Sequence, residues 1–317
     1  MAPEDALRQA QSLAPAGKIR LTSMTEPTQS IHPILLPFLG VLRIRGEDAA
    51  RFLQGQLTND TRLLADGRTQ LSACNTPQGR VVALLRLRQT DDAIYALLPQ
   101  ELAATVAASL RRFVLRAKVD LQVATDLQVA WAARTPTAIP EPAASEIVAF
   151  DYAPDRQVIA AHGTTLRAMT GLSRERLHPE IENEWRAADI TAGLPQVFAA
   201  ASGSFVPQML NLDRLHAISF TKGCYTGQEI VARTQHLGRI KRRTLRYRLP
   251  PGPEPAPLAG LSLAGQKVAE VVMSATRDGA VELLAVTSLE ALGRTLVAED
   301  GREAVPVELP YGLGDGE

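Results

Sequence analysis

Lys222-Gly223-Cys224-Tyr225-Thr226-Gly227-Gln228-Glu229, continued by Ile230-Val231-Ala232-Arg233, decides how the rest of this chain is read. A strand-like stretch from Phe220 runs into Lys222-Gly223-Cys224, and Gly227 precedes a helical segment. Gly223 and Gly227 let the backbone turn sharply or approach a ligand, because glycine lacks the Cβ that forbids such conformations. A cysteine just ahead of a helix N-terminus meets exposed amide dipoles, and a neighbouring ammonium adds to them; both favour the thiolate. Cys224 with Lys222 is therefore the candidate reactive pair. Gln228, Glu229 and Arg233 supply directed hydrogen bonds to the loop or its ligand. The same residues also fit a tight interdomain turn around an inert cysteine, and residue chemistry alone does not separate the two readings.

Composition narrows the function classes. A length of 317 residues allows two or three compact units. Hydrophobic residues make up 45% and charged residues 21%, the balance of a globular protein. Lys plus Arg and Asp plus Glu both number 34, so no global field draws the chain to nucleic acid or an anionic membrane. Only Cys74 and Cys224 are present, with no CxxC pair and no histidine at metal-ligand spacing. That usage argues against a disulfide framework, an intrachain zinc site or a resident iron-sulfur cluster, and no metal site is expected. The first thirty residues lack an apolar core of signal-peptide length and no later run reaches the length of a spanning helix, so a cytoplasmic or other reducing compartment is expected.

Outward from the central stretch, four regions are expected: a mobile N-terminal arm at 1–30, a first α+β unit at 31–143, a second at 144–239 and a C-terminal β-barrel at 240–317. In the first, Gly40 to Arg45 alternates as a half-buried strand, and a helix then places Phe52, Leu53 and Leu57 on one side. Strands follow at 70–74, 80–88 and 93–98, then a helix at 100–115 and a strand at 118–123, the order of a ferredoxin-like split βαβ unit. Pro136, Pro140 and Pro142 mark a break. In the second unit, strands at 147–152 and 157–161 precede a helix with Pro179 in its first turn and Ile181, Trp185 and Ala188 on one face, stopped by Gly193 and Pro195. The Pro-rich run 250–257 opens short Val-rich strands such as 267–273 and 281–286, the pattern of a small antiparallel barrel.

Residues 222–229 are similar to the KGCYxGQE signature of the YgfZ-like folate-binding family, within the aminomethyltransferase superfamily. The flanks resemble that family too: Gly193-Leu194-Pro195 and Phe205 to Leu212 upstream, and Gly238 to Arg242 downstream. So do Phe52 to Asp60 and Thr76-Pro77-Gln78-Gly79-Arg80 in the first unit. The resemblance implies two α+β units and a barrel arranged as a ring around a folate channel. It also implies a role in maintaining or assembling iron-sulfur enzymes, including radical enzymes that modify tRNA. Trp185, Gln208 and Asn211 would line the channel for a reduced folate. Cys224 would act as nucleophile, redox group or transient cluster ligand, and iron-sulfur enzymes or assembly factors would be the partners.

Two departures separate the chain from the superfamily's aminomethyltransferases. Their corresponding hairpin carries an Asp-Asp pair, where this chain runs Val81-Val82-Ala83-Leu84 and offers no carboxylate to move a proton. Thr191 stands where those enzymes place a pterin-binding Glu. Seven Lys or Arg and no acid fall between 233 and 248, a run that fits folate carboxylates or an acidic partner, or else a solvated face; direct tRNA binding is not expected from it. A folate-dependent one-carbon transferase and a non-catalytic scaffold remain the competing expectations.

Overall fold

The computed structural model describes residues 34–133, 147–170, 180–236 and 240–314. The expected arm at 1–30, the proline break at 136–142, Pro179 and Gly238-Arg239 lie outside the described residues. The first sheet contains β2 (Leu39–Arg45), β3 (Gln70–Asn75), β4 (Val81–Gln89), β5 (Ile94–Pro99) and β6 (Asp120–Val123), all antiparallel in the order β3-β4-β5-β2-β6. Helix α1 (Ala49–Gln54) connects β2 towards β3, and α2 (Gln100–Arg111) connects β5 to β6. With β3 set aside as an added edge strand, β2 and β4 flank β5 while β5 and β6 flank β2, which is the split βαβ arrangement. Helix α2 forms because Leu102, Ala103, Val106, Ala107 and Leu110 recur at helical spacing and bury one face. They share a core with Phe52 and Leu53 of α1 and with Ala83, Leu85 and Leu87 of β4. Each buried leucine there stabilises the unit by about 1.5–3 kcal/mol. The helix stops at Arg111, short of the expected 115.

The second sheet runs β1-β7-β9-β8, again antiparallel, from β1 (Ile34–Leu35), β7 (Leu127–Ala133), β9 (Arg156–His162) and β8 (Ile147–Ala153). Strand β7 precedes position 143 yet pairs along its length with β9, so hydrogen bonding crosses the seam expected at 143/144. Helix α3 (Gly163–Thr170) follows β9, and α4 (Ile181–Thr191) buries Ile181, Trp185 and Ala188. Gly193, at φ 64°, ends α4 in the left-handed conformation that glycine tolerates.

Six strands close a barrel in the order β10-β13-β12-β11-β14-β15: β10 (Arg242–Leu249), β11 (Gly260–Leu263), β12 (Gln266–Arg277), β13 (Ala280–Ser288), β14 (Leu296–Ala298) and β15 (Glu303–Val307). Tyr247, fully buried, fills its interior with Leu245, Leu261, Val271 and Leu283. The fold is thus the mixed α+β architecture with a closed barrel that the sequence leads one to expect. Each unit touches the other two. Leu39, Val41 and Leu97 of the first sheet share a core with Val129 and Phe150 of the second and with Trp185 of α4. Ala73, Val81 and Leu84 share another with Val272, Met273, Leu284 and Val286 of the barrel. Between α4 and β12, Asn183 donates to Thr276 O at 2.7 Å and accepts from Thr276 N at 2.9 Å.

Candidate functional site

The central stretch is not a strand at its start. Phe220 to Cys224 is irregular, and regular structure begins only at α5 (Gln228–His236). The segment gives up strand pairing because its polar groups are taken by the loop Gly55 to Asn59 of the first unit. Ser219 N donates to Thr58 O at 3.0 Å, Thr226 N to Gly55 O at 3.2 Å and Thr226 Oγ1 to Gln56 Oε1 at 3.0 Å. Thr58 Oγ1 answers by donating to Ala217 O at 2.7 Å, and Asn59 Nδ2 to His216 O at 2.8 Å. The turn Thr76 to Gly79 packs from another side. A methyl group on Gly227, at φ 81°, would stand 2.6 Å from Thr76 O and 2.9 Å from Gly79 Cα. Gly223 faces open space and has no such constraint. Three separated sequence segments, 52–60, 76–80 and 222–229, therefore form one platform.

Lys222 performs a different task from the one its position suggests. Its ammonium is turned inward, where Nζ donates to Leu57 O at 2.8 Å and Asn59 O at 2.7 Å and lies 5.2 Å from the centre of the Tyr225 ring. The residue is 5% exposed, and burial lowers its pKa to about 8. Among the described residues no hydrogen bond joins it to Cys224. Lys222 clamps the 57–59 loop beneath the segment, and its link to the thiol runs through the backbone they share. Tyr225 is buried beside it, its hydroxyl pushed up to about 12 by desolvation. Gln228 Oε1 accepts from Tyr225 N at 3.1 Å and fixes the entry into α5. Cys224 itself is exposed. Cys74, the other thiol, is buried in the first core, where desolvation raises its pKa to about 12 and leaves it a small core side chain.

No family model matches the chain. A tRNA-modifying protein YgfZ from Colwellia psychrerythraea is 30% identical over 225 residues, 66% of this chain and 69% of that protein. The chain belongs to the YgfZ family. A second tRNA-modifying protein YgfZ, from Klebsiella pneumoniae, is 32% identical over 215 residues, 63% of this chain and 66% of that one. The aminomethyltransferase T of the glycine cleavage system from Bartonella henselae shares the fold, with a TM-score of 0.66 at 15% identity over 90% of this chain and 87% of that one.

In this YgfZ-family chain, the remaining expected residues divide by location. Glu229 and Arg233 form an exposed i,i+4 pair at 2.9 Å on α5, which contributes little to stability because water screens it. Gln208 and Asn211 are fully buried, not at an open channel wall. Gln208 Nε2 donates to Val231 O at 2.7 Å and Asn211 Nδ2 to Thr244 O at 2.8 Å, tying the segment before the signature to α5 and to the barrel. Trp185 is 4% exposed, with the Tyr152 ring edge-on at 4.8 Å and the Arg156 guanidinium 4.6 Å from its centre. It is an inner wall between the two sheets, not an open stacking surface. Thr191 donates to Ala187 O at 2.9 Å and accepts from Arg277 at 2.8 Å. Ala83 and Leu84, both buried, point into different cores.

Three arginines of the basic run meet acids from elsewhere in the chain. Arg242 meets Glu270 at 3.0 Å, Arg246 meets Glu282 at 2.6 Å, and buried Arg243 makes a two-pronged pair with Asp213 at 2.9 and 2.8 Å. The acids lie far off in sequence, so the pairing of these three arginines does not show in one dimension. Sequence reasoning missed Arg86, a 4% exposed arginine on β4. No signal in the sequence pointed to it: Arg86 alternates with Leu85 and Leu87, which mark the opposite face of the strand as the core, and it shares its own face with Arg88. Among the described residues no three His, Cys, Asp or Glu side chains come together to hold a metal, and no helix is long and apolar enough to cross a membrane.

Proposed function

We propose that this chain is a cytoplasmic folate-binding accessory protein that supports iron-sulfur enzymes, including those that modify tRNA, and that Cys224 is its reactive group. The observation that carries the reading is the platform: three segments lock together to hold one exposed thiol, while the second thiol is sealed in the core. A merely structural turn has no need of an exposed cysteine at its apex. The name of the relatives, tRNA-modifying protein, supports the biological setting. The aminomethyltransferase fold supports folate as the ligand.

The residues suit a polar, acceptor-rich ligand, since buried donors at the seam of the two sheets, Trp185 Nε1 among them, have no acceptor in hydrogen-bonding geometry. Tetrahydrofolate would supply one-carbon or redox chemistry when bound. Standard aminomethyl transfer is disfavoured, because Ala83 and Leu84 are buried apolar residues where that chemistry uses carboxylates. In cells lacking the protein, the wild-type chain should restore iron-sulfur enzyme activity and Cys224→Ser should not. Full rescue by the serine variant would remove the thiol from the mechanism. Titration of the purified chain with tetrahydrofolate, followed by tryptophan fluorescence, tests the ligand separately.

A further inference from the structure

Where the first sheet meets the second, hydrogen-bond donors outnumber acceptors. The guanidinium carbon of Arg86 lies 3.4 Å from the centre of the Tyr152 ring. Stacking on a ring leaves the in-plane N–H groups of a guanidinium available. Among the described residues no carboxylate or hydrogen-bond acceptor meets Arg86, and its nitrogens, unlike those of Arg156, keep some contact with solvent-accessible space. Arg156, also 4% exposed, lies 5.1 Å from the same ring. Its charge is met by Asp189 at 2.7 Å, yet none of its nitrogens has an acceptor in hydrogen-bonding geometry, and neither has Trp185 Nε1.

Asp189 is the only buried carboxylate described in this cluster. One of its oxygens faces Arg156 and the other accepts from the Tyr152 hydroxyl at 2.9 Å. Asp155, its side chain 58% exposed, comes within 3.7 Å of Arg156 Nε and does not reach Arg86. Tyr152 supplies no counter-charge, since burial pushes its hydroxyl up to about 12 and keeps it protonated. An arginine cannot shed its proton to escape burial, and a buried charge without a partner is costly to the fold. The cluster carries a surplus of positive charge centred on Arg86, with a planar fork of donors free to meet a planar acceptor.

The geometry points to Arg86 as the anchor for a carboxylate of a ligand held between the two sheets. The choice of ligand rests on the folate reading, which it deepens: the glutamate end, and not the pterin, is the part that Arg86 holds. Each carboxylate-guanidinium contact of this kind changes affinity by roughly 10- to 100-fold.

The test is calorimetric titration of the full chain and its Arg86→Gln and Arg86→Lys variants with four probes: tetrahydrofolate, aminobenzoyl-glutamate, the dimethyl ester of aminobenzoyl-glutamate, and 6-methyltetrahydropterin. Aminobenzoyl-glutamate should bind the wild type at least roughly tenfold more tightly than its ester. Arg86→Gln should lose that margin, Arg86→Lys should keep part of it, and none of the changes should alter binding of 6-methyltetrahydropterin. Equal affinity for diacid and ester in the wild type overturns the proposal even if the variants fail to fold. Equal affinity of folded Arg86→Gln and wild type for the diacid overturns it as well. Tetrahydrofolate binding that ignores Arg86→Gln sinks this site and leaves the folate reading standing. Arg86-dependent binding of the diacid without tetrahydrofolate binding does the reverse, and a chain that binds none of the probes refutes both.

Discussion

Gly79 and Gly227 interlock, each in the left-handed backbone region and each excluding a side chain on the other. A methyl group on Gly79, at φ 69°, would stand 2.8 Å from Ile230 Cβ and 3.1 Å from Gly227 O. This contact sets the distance between the first-unit turn and the loop that carries Cys224. Gly227→Ala is expected to lower unfolding stability by at least about 2 kcal/mol, combining left-handed strain with contact against Thr76 O. Urea denaturation measures it. Gly223→Ala, facing open space, should change the midpoint little, and an equal loss in both variants would show that the interlock is not the cause.

Thiol labelling separates the two cysteines. A maleimide or disulfide reagent at pH 8 should modify Cys224 rapidly and Cys74 only on unfolding, because Cys74 is 3% exposed with its pKa raised to about 12. Two fast thiols in the native protein would contradict the platform as described.

Lys222 makes stability depend on pH in a stated direction. Its folded pKa is lowered by burial to about 8 from an ordinary value of 10.5, so between those values the unfolded chain binds more protons. Raising pH through this window therefore favours the folded state. Urea midpoints of wild type and Lys222→Met, compared from pH 7 to 10.5, should diverge upward in favour of the wild type above pH 8. Parallel curves would place the ammonium in water.

The Arg243–Asp213 pair joins the barrel to the segment before the signature, with side chains 5% and 8% exposed. Removing either partner leaves the other charged and buried, so Asp213→Asn or Arg243→Met should cost about 3–5 kcal/mol. The exposed Glu229–Arg233 pair is the contrasting control. Arg233→Ala should move thermal stability by less than about 1 kcal/mol, so a functional loss there would report contact with a ligand or partner.

Local chemistry made much of this protein legible from its sequence. Helix α2 follows from apolar residues at helical spacing, the barrel strands from Val-rich alternation, and the start of α5 from Gly227 and Gln228, since each depends on neighbours within a few residues. Residues 222–229 likewise marked the candidate site and its family. Their signal lay in residue types, which do not depend on where the chain goes next.

What those residues do was decided by contacts between distant segments. Lys222 reads as a partner of Cys224 because it is two residues away, yet its amino group lies against Leu57 and Asn59 of another unit. The basic run reads as a free charged face until Asp213, Glu270 and Glu282 fold against it. Trp185 sits on the predicted apolar stripe, but only the packing of two sheets puts Tyr152 and Arg156 against its ring and leaves Arg86 short of an acceptor. Periodicity fixes which face of an element is buried, whereas the partner waiting on that face belongs to the tertiary structure.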